Sequence, residues 1–360
     1  MLASRVMTAE ALADLLETLV NIPSVTGNEA TIAEHVVSRL RMRGGGEIMR
    51  SGNAVVWRGP QADRPLIVLA GHLDTVPPNG NATASRRDGK LFGLGATDMK
   101  AGVAVMLALL ESLDPESLRF DLACVFYDAE EGPAEGNGLK RLMGEMPWLT
   151  KAALAILLEP TDNRIELGCN GVMNVEVTVR GKSAHSARPW TGVNAIEVAS
   201  EWIQRVTRTR VRKVQLHGVE YAETLQVTTL RAGRARNVVP DELVANLNYR
   251  FTPDMSIEEA EAKLRALVPL AFEFRIVDRA PSGRACGDDP LVKDFIARFK
   301  PELAGKQGWT DVARFTAAGV PAFNFGPGLP ELCHQAGEYC PIGNLEPAHR
   351  MLAEFLKAGS

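Results

Sequence analysis

Acids and histidines that fall mostly at or just after the ends of apolar runs mark where chemistry can occur in this sequence, because open α/β sheets bind ligands beyond the carboxyl ends of their strands. His72, in Gly71-His72-Leu73-Asp74, directly follows the apolar run Leu66–Ala70. Two residues on, Asp74 is placed to accept the other ring N–H, which fixes the tautomer of a metal-binding imidazole. Asp98, in Gly93-Leu94-Gly95-Ala96-Thr97-Asp98-Met99-Lys100, stands at the mouth of a helix, where an acid most often caps the first turn. Glu130 and Glu131 follow the run Leu122–Tyr127, and adjacent carboxylates at a strand end repel unless a cation or proton is near. Glu159 closes the run Leu154–Leu158, where the plainer alternative is an exposed strand terminus. His334 follows Cys333 in a Pro- and Gly-rich loop, a setting in which a lone histidine is more often structural. Singly these signals are weak; in this order they reinforce one another. Three carboxylates (Asp98, Glu131, Glu159) and two imidazoles (His72, His334) give mixed N/O ligation, which suits zinc. One carboxylate shared by two ions leaves each ion a histidine and a terminal carboxylate, and Glu130 is then the natural general base.

The elements that must position these residues alternate. Leu12, Leu15, Leu16 and Leu19 form one stripe of a helix over residues 9–20, and a second helix over 29–42 stops at Gly44-Gly45-Gly46. The runs 66–70, 122–127 and 154–158 lack alternation, as strands buried on both faces do, and a helix rich in Ala, Met and Leu over 100–113 separates the first two. After Gly171 the pattern changes. Residues 172–180 and 243–250 alternate strictly between apolar and polar, the signature of an antiparallel sheet with one wet face, and helical stretches over 193–206 and 257–267 lie among them. The expected fold is α/β: a central, mostly parallel twisted sheet flanked by helices, formed by residues 1–171 and 281–360, with a smaller α+β domain inserted at 172–280.

A chain of 360 residues exceeds a single ordinary core, which agrees with two domains. Its 46% hydrophobic and 23% charged residues and formal net charge of -4 describe a soluble globular protein with no electrostatic case for nucleic acid or an acidic membrane surface. The basic stretch from Arg205 to Lys213 reads as a solvated helix end. No apolar run reaches the roughly 18–20 residues that span a bilayer. The first twenty residues run into an amphipathic helix containing Glu10, Asp14 and Glu17, so no signal peptide is expected and the cytoplasm is the expected compartment. The five cysteines form no C-x-x-C pair and are expected to be reduced thiols.

The order GHLD, GLGATDMK, EE, LLEP and a late histidine resembles the dizinc aminoacylase/carboxypeptidase (M20-like) family of metallopeptidases. The strings Gly181–Pro189 (GKSAHSARP) and Asn237–Pro240 (NVVP) are similar to that family's inserted lid, and GWTDVARF and NFGPG add to the likeness, which runs from about residue 10 to the C-terminus. The resemblance implies two Zn2+ per subunit, with Co2+ able to substitute. It places His72, Asp98 and Glu159 around one ion and Asp98, Glu131 and His334 around the other, with Asp98 bridging. It gives Glu130 as general base, Asp74 as the carboxylate that orients His72, and a cis peptide after Asp98. It further implies a homodimer formed through the inserted domain, in which His185 reaches the partner's active site to steady an oxyanion. Asn237, Arg250, Thr310 and Gly326 match substrate-contacting positions, and Arg250 could grip a carboxylate with its planar fork. A solvated charge is the plainer alternative for Arg250, and an interface histidine for His185. The implied substrate is a small acylated amino acid, N-succinyl-LL-2,6-diaminopimelate in the nearest sub-group, with acetylornithine deacetylase and dipeptidases as sister activities. A catalytically silent scaffold is disfavoured because every ligand and the base are present.

Overall fold

The computed structural model describes residues 7–357, so the expected domain ends at residues 1 and 360 lie outside the described residues. The chain divides into two compact units, residues 1–167, 286–304 and 314–360 in the first and residues 168–285 and 305–313 in the second. In chain order the first unit holds α1 (Ala9–Val20), α2 (Ala30–Arg43), β1 (Glu47–Ser51), β2 (Ala54–Arg58), β3 (Leu66–His72), β4 (Ser85–Arg87), β5 (Lys90–Phe92), α3 (Lys100–Ser112), β6 (Asp121–Tyr127), α4 (Gly138–Glu145), β7 (Leu154–Leu157) and β8 (Ile165–Leu167). The second holds β9 (Gly171–Arg180), α5 (Ala195–Thr207), β10 (Arg212–Leu216), β11 (Val219–Ala232), β12 (Glu242–Phe251), α6 (Ile257–Ala266) and β13 (Glu273–Ala280). The chain then continues through α7 (Pro290–Phe299), β14 (Leu303–Gly305), α8 (Val312–Ala317), β15 (Ala322–Asn324), β16 (Tyr339–Pro341) and α9 (Ile342–Leu356).

An eight-stranded sheet ordered β1-β2-β6-β3-β7-β15-β8-β14 forms the frame of the first unit. Its centre is parallel: β3 pairs in parallel with β6 and β7, and β15 with β7. Towards the edges β1, β2 and β8 pair antiparallel. The apolar runs become the central strands because every residue of β6 and β7 is buried. Helix α3 is buried along its length from Lys100 to Leu110 and packs on β3 and on α1, α2 and α9, which explains a helix without a polar face. Gly102 is required there, since a Cβ would lie 2.2 Å from the Leu158 carbonyl oxygen. That close approach draws the helix against the end of β7, one residue before Glu159. A separate three-stranded sheet, β16-β5-β4, carries the segment that precedes Asp98 and the segment that follows His334.

In the second unit a five-stranded antiparallel sheet, β10-β11-β12-β9-β13, has one buried face. Met173, Val175, Val177 and Val179 of β9 and Leu243, Ala245, Leu247 and Tyr249 of β12 point into a core closed by Trp202 of α5 and Leu264 of α6. Ser256 and Glu259 form a reciprocal capping box that starts α6. The unit is larger than the expected insertion of 172–280. It starts at Gly168 and takes back residues 305–313 for a local reason. The Asn170 N–H donates to the Lys306 carbonyl (3.1 Å), Gln307 bonds both ways with β11 (Ala222 N–H and Glu220 carbonyl, each 2.9 Å), and Trp309 Nε1 donates to the Pro281 carbonyl (3.0 Å). None of the five cysteines is in a disulfide, and all but Cys333 are buried. No described helix is long and apolar enough to cross a membrane.

Candidate active site

His72 is the last residue of β3 and is 1% exposed. Its Nδ1 lies 3.0 Å from the backbone carbonyl oxygen of Asp74, an atom that can only accept, so Nδ1 carries a proton and Nε2 faces Asp98 Oδ1 at 3.3 Å. The ring is therefore oriented by Asp74, but chiefly through its main chain. The Asp74 carboxylate stands 3.5 Å from Nδ1 and is occupied otherwise: Oδ1 accepts the Glu130 N–H (3.0 Å), and Oδ2 accepts the Glu131 N–H (3.0 Å) and the Thr26 hydroxyl (2.9 Å). Burial of Asp74 opposes its charge, yet the His72 ring and the two N–H donors outweigh burial and hold its pKa below the usual range.

The loop that presents Glu130 and Glu131 begins at Asp128, whose carboxylate accepts from Arg141 (2.6 Å) and from the Asn53 N–H (3.1 Å). Ala129 adopts a left-handed φ of 55°, rare for a residue with a side chain. This turn swings the next two amides onto Asp74.

Asp98 does not cap α3. The N-cap position is Met99, no side chain closes that end, and the Asp98–Met99 peptide is cis. The Asp98 carboxylate instead faces both imidazoles, with Oδ2 3.6 Å from His334 Nε2. Glu159 lies two residues beyond β7 and is 5% exposed. Gly326 passes so close behind it that a Cβ would stand 2.5 Å from the Glu159 carbonyl oxygen. His334, with a left-handed φ of 63°, brings Nε2 to 2.9 Å from Glu131 Oε1 and leaves about half its side chain exposed.

The donor atoms of His72, Asp98 and Glu159 lie within 4.8 Å of one another, and so do those of Asp98, Glu131 and His334; a third group joins His72, Glu130 and Glu131. Two triads thus share Asp98, with Glu130 against them. The electrostatics fit a cation. Burial alone would depress the His72 pKa, but hydrogen bonds to Asp74 and Asp98 and the Glu130 charge lift it well above its ordinary value. The hydrogen bond to Glu131, with the Glu131 and Asp98 charges, raises His334 to about 9. A field that draws protons onto two imidazoles also favours divalent cations, and an N/O donor set of this composition fits zinc-like ions.

Four further candidates lie in the second unit. His185 is exposed, and its Nδ1 accepts the Ala187 N–H at 3.1 Å. The loop around it pairs with the NVVP segment, where the Ser186 N–H donates to the Asn237 carbonyl at 3.0 Å, so His185 and Asn237 are brought together. Arg250, on β12, is half-buried and bonds Asn248 Oδ1 (3.2 Å); burial lowers its pKa. Thr310 is 3% exposed within the recaptured segment 305–313, and its carbonyl faces the Cys169 thiol at 3.5 Å. Gly326 belongs to the first unit and tightens the floor under Glu159.

Sequence reasoning passed over Thr26, Asp128, Lys100 and Glu338. Lys100 is 2% exposed and donates to the Ile22 carbonyl (2.8 Å), with burial lowering its pKa to about 8. A charge at the head of a helix whose next ten residues carry none was the available signal. Nothing in the composition around Thr26 sets it apart from an ordinary turn.

A family model described as "Peptidase family M20/M25/M40" matches residues 68–358. A Mycobacterium tuberculosis protein named as the succinyl-diaminopimelate desuccinylase DapE is 40% identical over 345 residues, covering 95% of this chain and 97% of that protein. A Corynebacterium glutamicum succinyl-diaminopimelate desuccinylase is 36% identical over 350 residues, with 95% of each chain covered. Among solved structures, a Bacillus subtilis protein described as a dinuclear metal-binding peptidase of the M20 family aligns with a TM-score of 0.72 at 17% identity, covering 96% of this chain and 97% of that one, a likeness of fold.

Proposed function

Because the chain belongs to peptidase family M20/M25/M40, we propose that it hydrolyses the amide of N-succinyl-LL-2,6-diaminopimelate to succinate and LL-2,6-diaminopimelate. The observation that carries the chemistry is the pair of ligand triads sharing Asp98 with Glu130 beside them. The choice of substrate follows the names of relatives that match along nearly the whole chain. That reaction belongs to the synthesis of lysine and of cell-wall precursors, and we place it in the cytoplasm.

His72, Asp98 and Glu159 would hold one divalent ion, and Asp98, Glu131 and His334 the other; zinc is the proposed metal and cobalt a working substitute. When bound, such ions supply Lewis acidity toward the amide carbonyl and bring the acidity of water to near neutral pH. Glu130 takes the proton of the attacking water and passes it to the leaving amine. Asp74 holds the amides of Glu130 and Glu131, so base and ligand move as one piece. Arg250 and Asn237, with Thr310 and Gly326, are assigned to substrate binding, Arg250 through a substrate carboxylate. We assign the enzyme as a homodimer in which His185 of one subunit donates a hydrogen bond to the oxyanion formed in the other, worth roughly 2.7–4 kcal/mol in comparable sites. In support, His185 is exposed, and close after it in the sequence come four exposed apolar side chains, Trp190 at 77%, Val193 at 47%, Ile196 at 44% and Val198 at 43%, which a monomer would leave wet.

The test is hydrolysis of N-succinyl-LL-2,6-diaminopimelate by the zinc-loaded protein, beside N-acetylornithine and a chelated control. Chelator-sensitive release of succinate with little acetate supports the assignment. Turnover of the acetyl compound alone keeps the metal chemistry and moves the enzyme to a sister activity; silence on both overturns the substrate.

A further inference from the structure

We propose that Glu338 is a positioning residue that clamps the loop of Asp98 to the loop of His334 and so sets how tightly the second triad holds its ion. The proposal rests on the two-metal reading above. Glu338 is 2% exposed. Its Oε1 accepts the N–H groups of Thr97 (2.9 Å) and Asp98 (3.0 Å), its Oε2 accepts that of Gly95 (3.1 Å), and its own carbonyl accepts that of Gly93 (3.2 Å). Four amides of one turn therefore end on one residue, which lies four positions after His334.

The turn needs such a partner. Gly93 and Gly95 have φ of 143° and 77°, so the chain from 93 to 98 follows neither a strand nor a helix; only the Ala96 N–H finds an acceptor within the turn, the Gly93 carbonyl (3.1 Å), and the other five amides are satisfied from outside. A buried carboxylate is costly unless charge-assisted hydrogen bonds surround it, and here three converge on it. Other ties run between the same segments: β16 pairs antiparallel with β5, and the Leu329 N–H donates to Thr97 Oγ1 (2.6 Å).

The five ligands are not anchored alike. His72 ends β3 and Glu159 follows β7, both in the large parallel sheet, while the amide of Glu131 is held by Asp74. Asp98 and His334 stand outside that sheet, on the two loops that Glu338 joins. The first triad thus has one ligand that depends on the clamp, and the second has two. Loosening Glu338 loosens the second ion more than the first.

Cobalt(II) chloride titrated into the full-length, metal-stripped chain, followed by visible absorption and calorimetry, tests this. Wild type takes up two ions. For Glu338→Gln, which keeps the length but loses the charge and one acceptor, the second ion binds on the order of 10–100-fold more weakly and its absorption bands change, while the first ion shifts less. Glu338→Asp, which withdraws the charge by one methylene, shows the same asymmetry at smaller size and replaces the glutamine variant if that one does not fold. Glu223→Gln, in the second unit, lowers the unfolding midpoint and leaves both cobalt Kd values and the spectrum unchanged. Folded Glu338 variants with both Kd values within twofold of wild type and an unaltered spectrum overturn the clamp, as does an equal effect from Glu223→Gln. Wild type that binds fewer than two ions overturns the two-metal reading itself.

Discussion

Replacing Asp74 by Asn tests whether this carboxylate serves the Glu130–Glu131 loop rather than the histidine ring alone. Asp74 is fully buried and receives three donors: Glu130 N–H on Oδ1, and Glu131 N–H and the Thr26 hydroxyl on Oδ2. An amide has one accepting oxygen, and the cheaper orientation keeps it where two donors meet and turns the NH2 toward the Glu130 N–H. One charge-assisted bond is then lost, worth about 1.5–3 kcal/mol, the abandoned donor adds about 1–3, and the other two bonds weaken. Asp74→Asn should destabilise the protein by about 3–5 kcal/mol in urea unfolding at pH 7. Thr26→Val removes a single donor and should cost roughly 1–2 kcal/mol. Because the amide that loses its anchor belongs to Glu130, the proposed base, kcat should fall with stability, by about 10²-fold if Glu130 shifts by 1 Å. An Asp74→Asn protein within about 0.5 kcal/mol of wild type, or a Thr26→Val protein as unstable as Asp74→Asn, would refute the reasoning.

Three other outcomes are expected. Glu130→Gln should bind metal with wild-type stoichiometry and lose about 10²–10⁴-fold in kcat, and substantial turnover would remove Glu130 from the role of base. Subunits carrying His185→Ala, mixed with subunits carrying Glu130→Gln, should regain partial activity that neither has alone; no rescue would exclude sharing of His185 across a dimer. Glu223, buried under Tyr249 (2.7 Å), Lys263 (2.5 Å) and Arg212 (2.6 Å), has a pKa lowered by those hydrogen bonds against the opposing effect of burial. Its stabilisation is present above the unfolded value of about 4.3 and is lost as pH falls through the lower folded value. The stability gap between wild type and Glu223→Gln should therefore be level from pH 6 to 7 and close below about pH 4.

Much of this architecture is legible in the sequence because burial on two faces leaves an unbroken apolar run, while burial on one leaves alternation. Leu66–Ala70, Leu122–Tyr127 and Leu154–Leu158 therefore mark the central strands, and 172–180 and 243–250 the second sheet. What escapes is whatever depends on distant pairing. Strand β15 is three residues long and is defined by its neighbours β7 and β8. The capture of residues 305–313 by the second unit depends on the Gln307 side chain bonding main-chain groups of β11 and on the Asn170 N–H reaching the Lys306 carbonyl, distant pairings that no spacing in the sequence marks. At the site, the type and order of His72, Asp98, Glu130, Glu131, Glu159 and His334 are visible, and the structure brings all of them together. The division of labour inside Asp74, carbonyl to the ring and carboxylate to the loop, requires coordinates. So does Glu338, whose partners are main-chain amides that any residue could supply.

The position of β15 in the sheet bears on how the polypeptide is made. Residues 322–324 fill the gap between β7 and β8, so the middle of the parallel sheet stays open until nearly the whole chain has left the ribosome. The β9 to β13 sheet, encoded earlier, is complete in sequence by Ala280. Synthesis thus delivers the inserted sheet first and the last strand of the catalytic sheet some forty residues later, about 2–8 s at ordinary elongation rates. A message truncated ahead of codon 322 would yield a chain whose β7, Leu154–Leu157, shows a bare apolar edge, the kind of surface on which nascent chains aggregate.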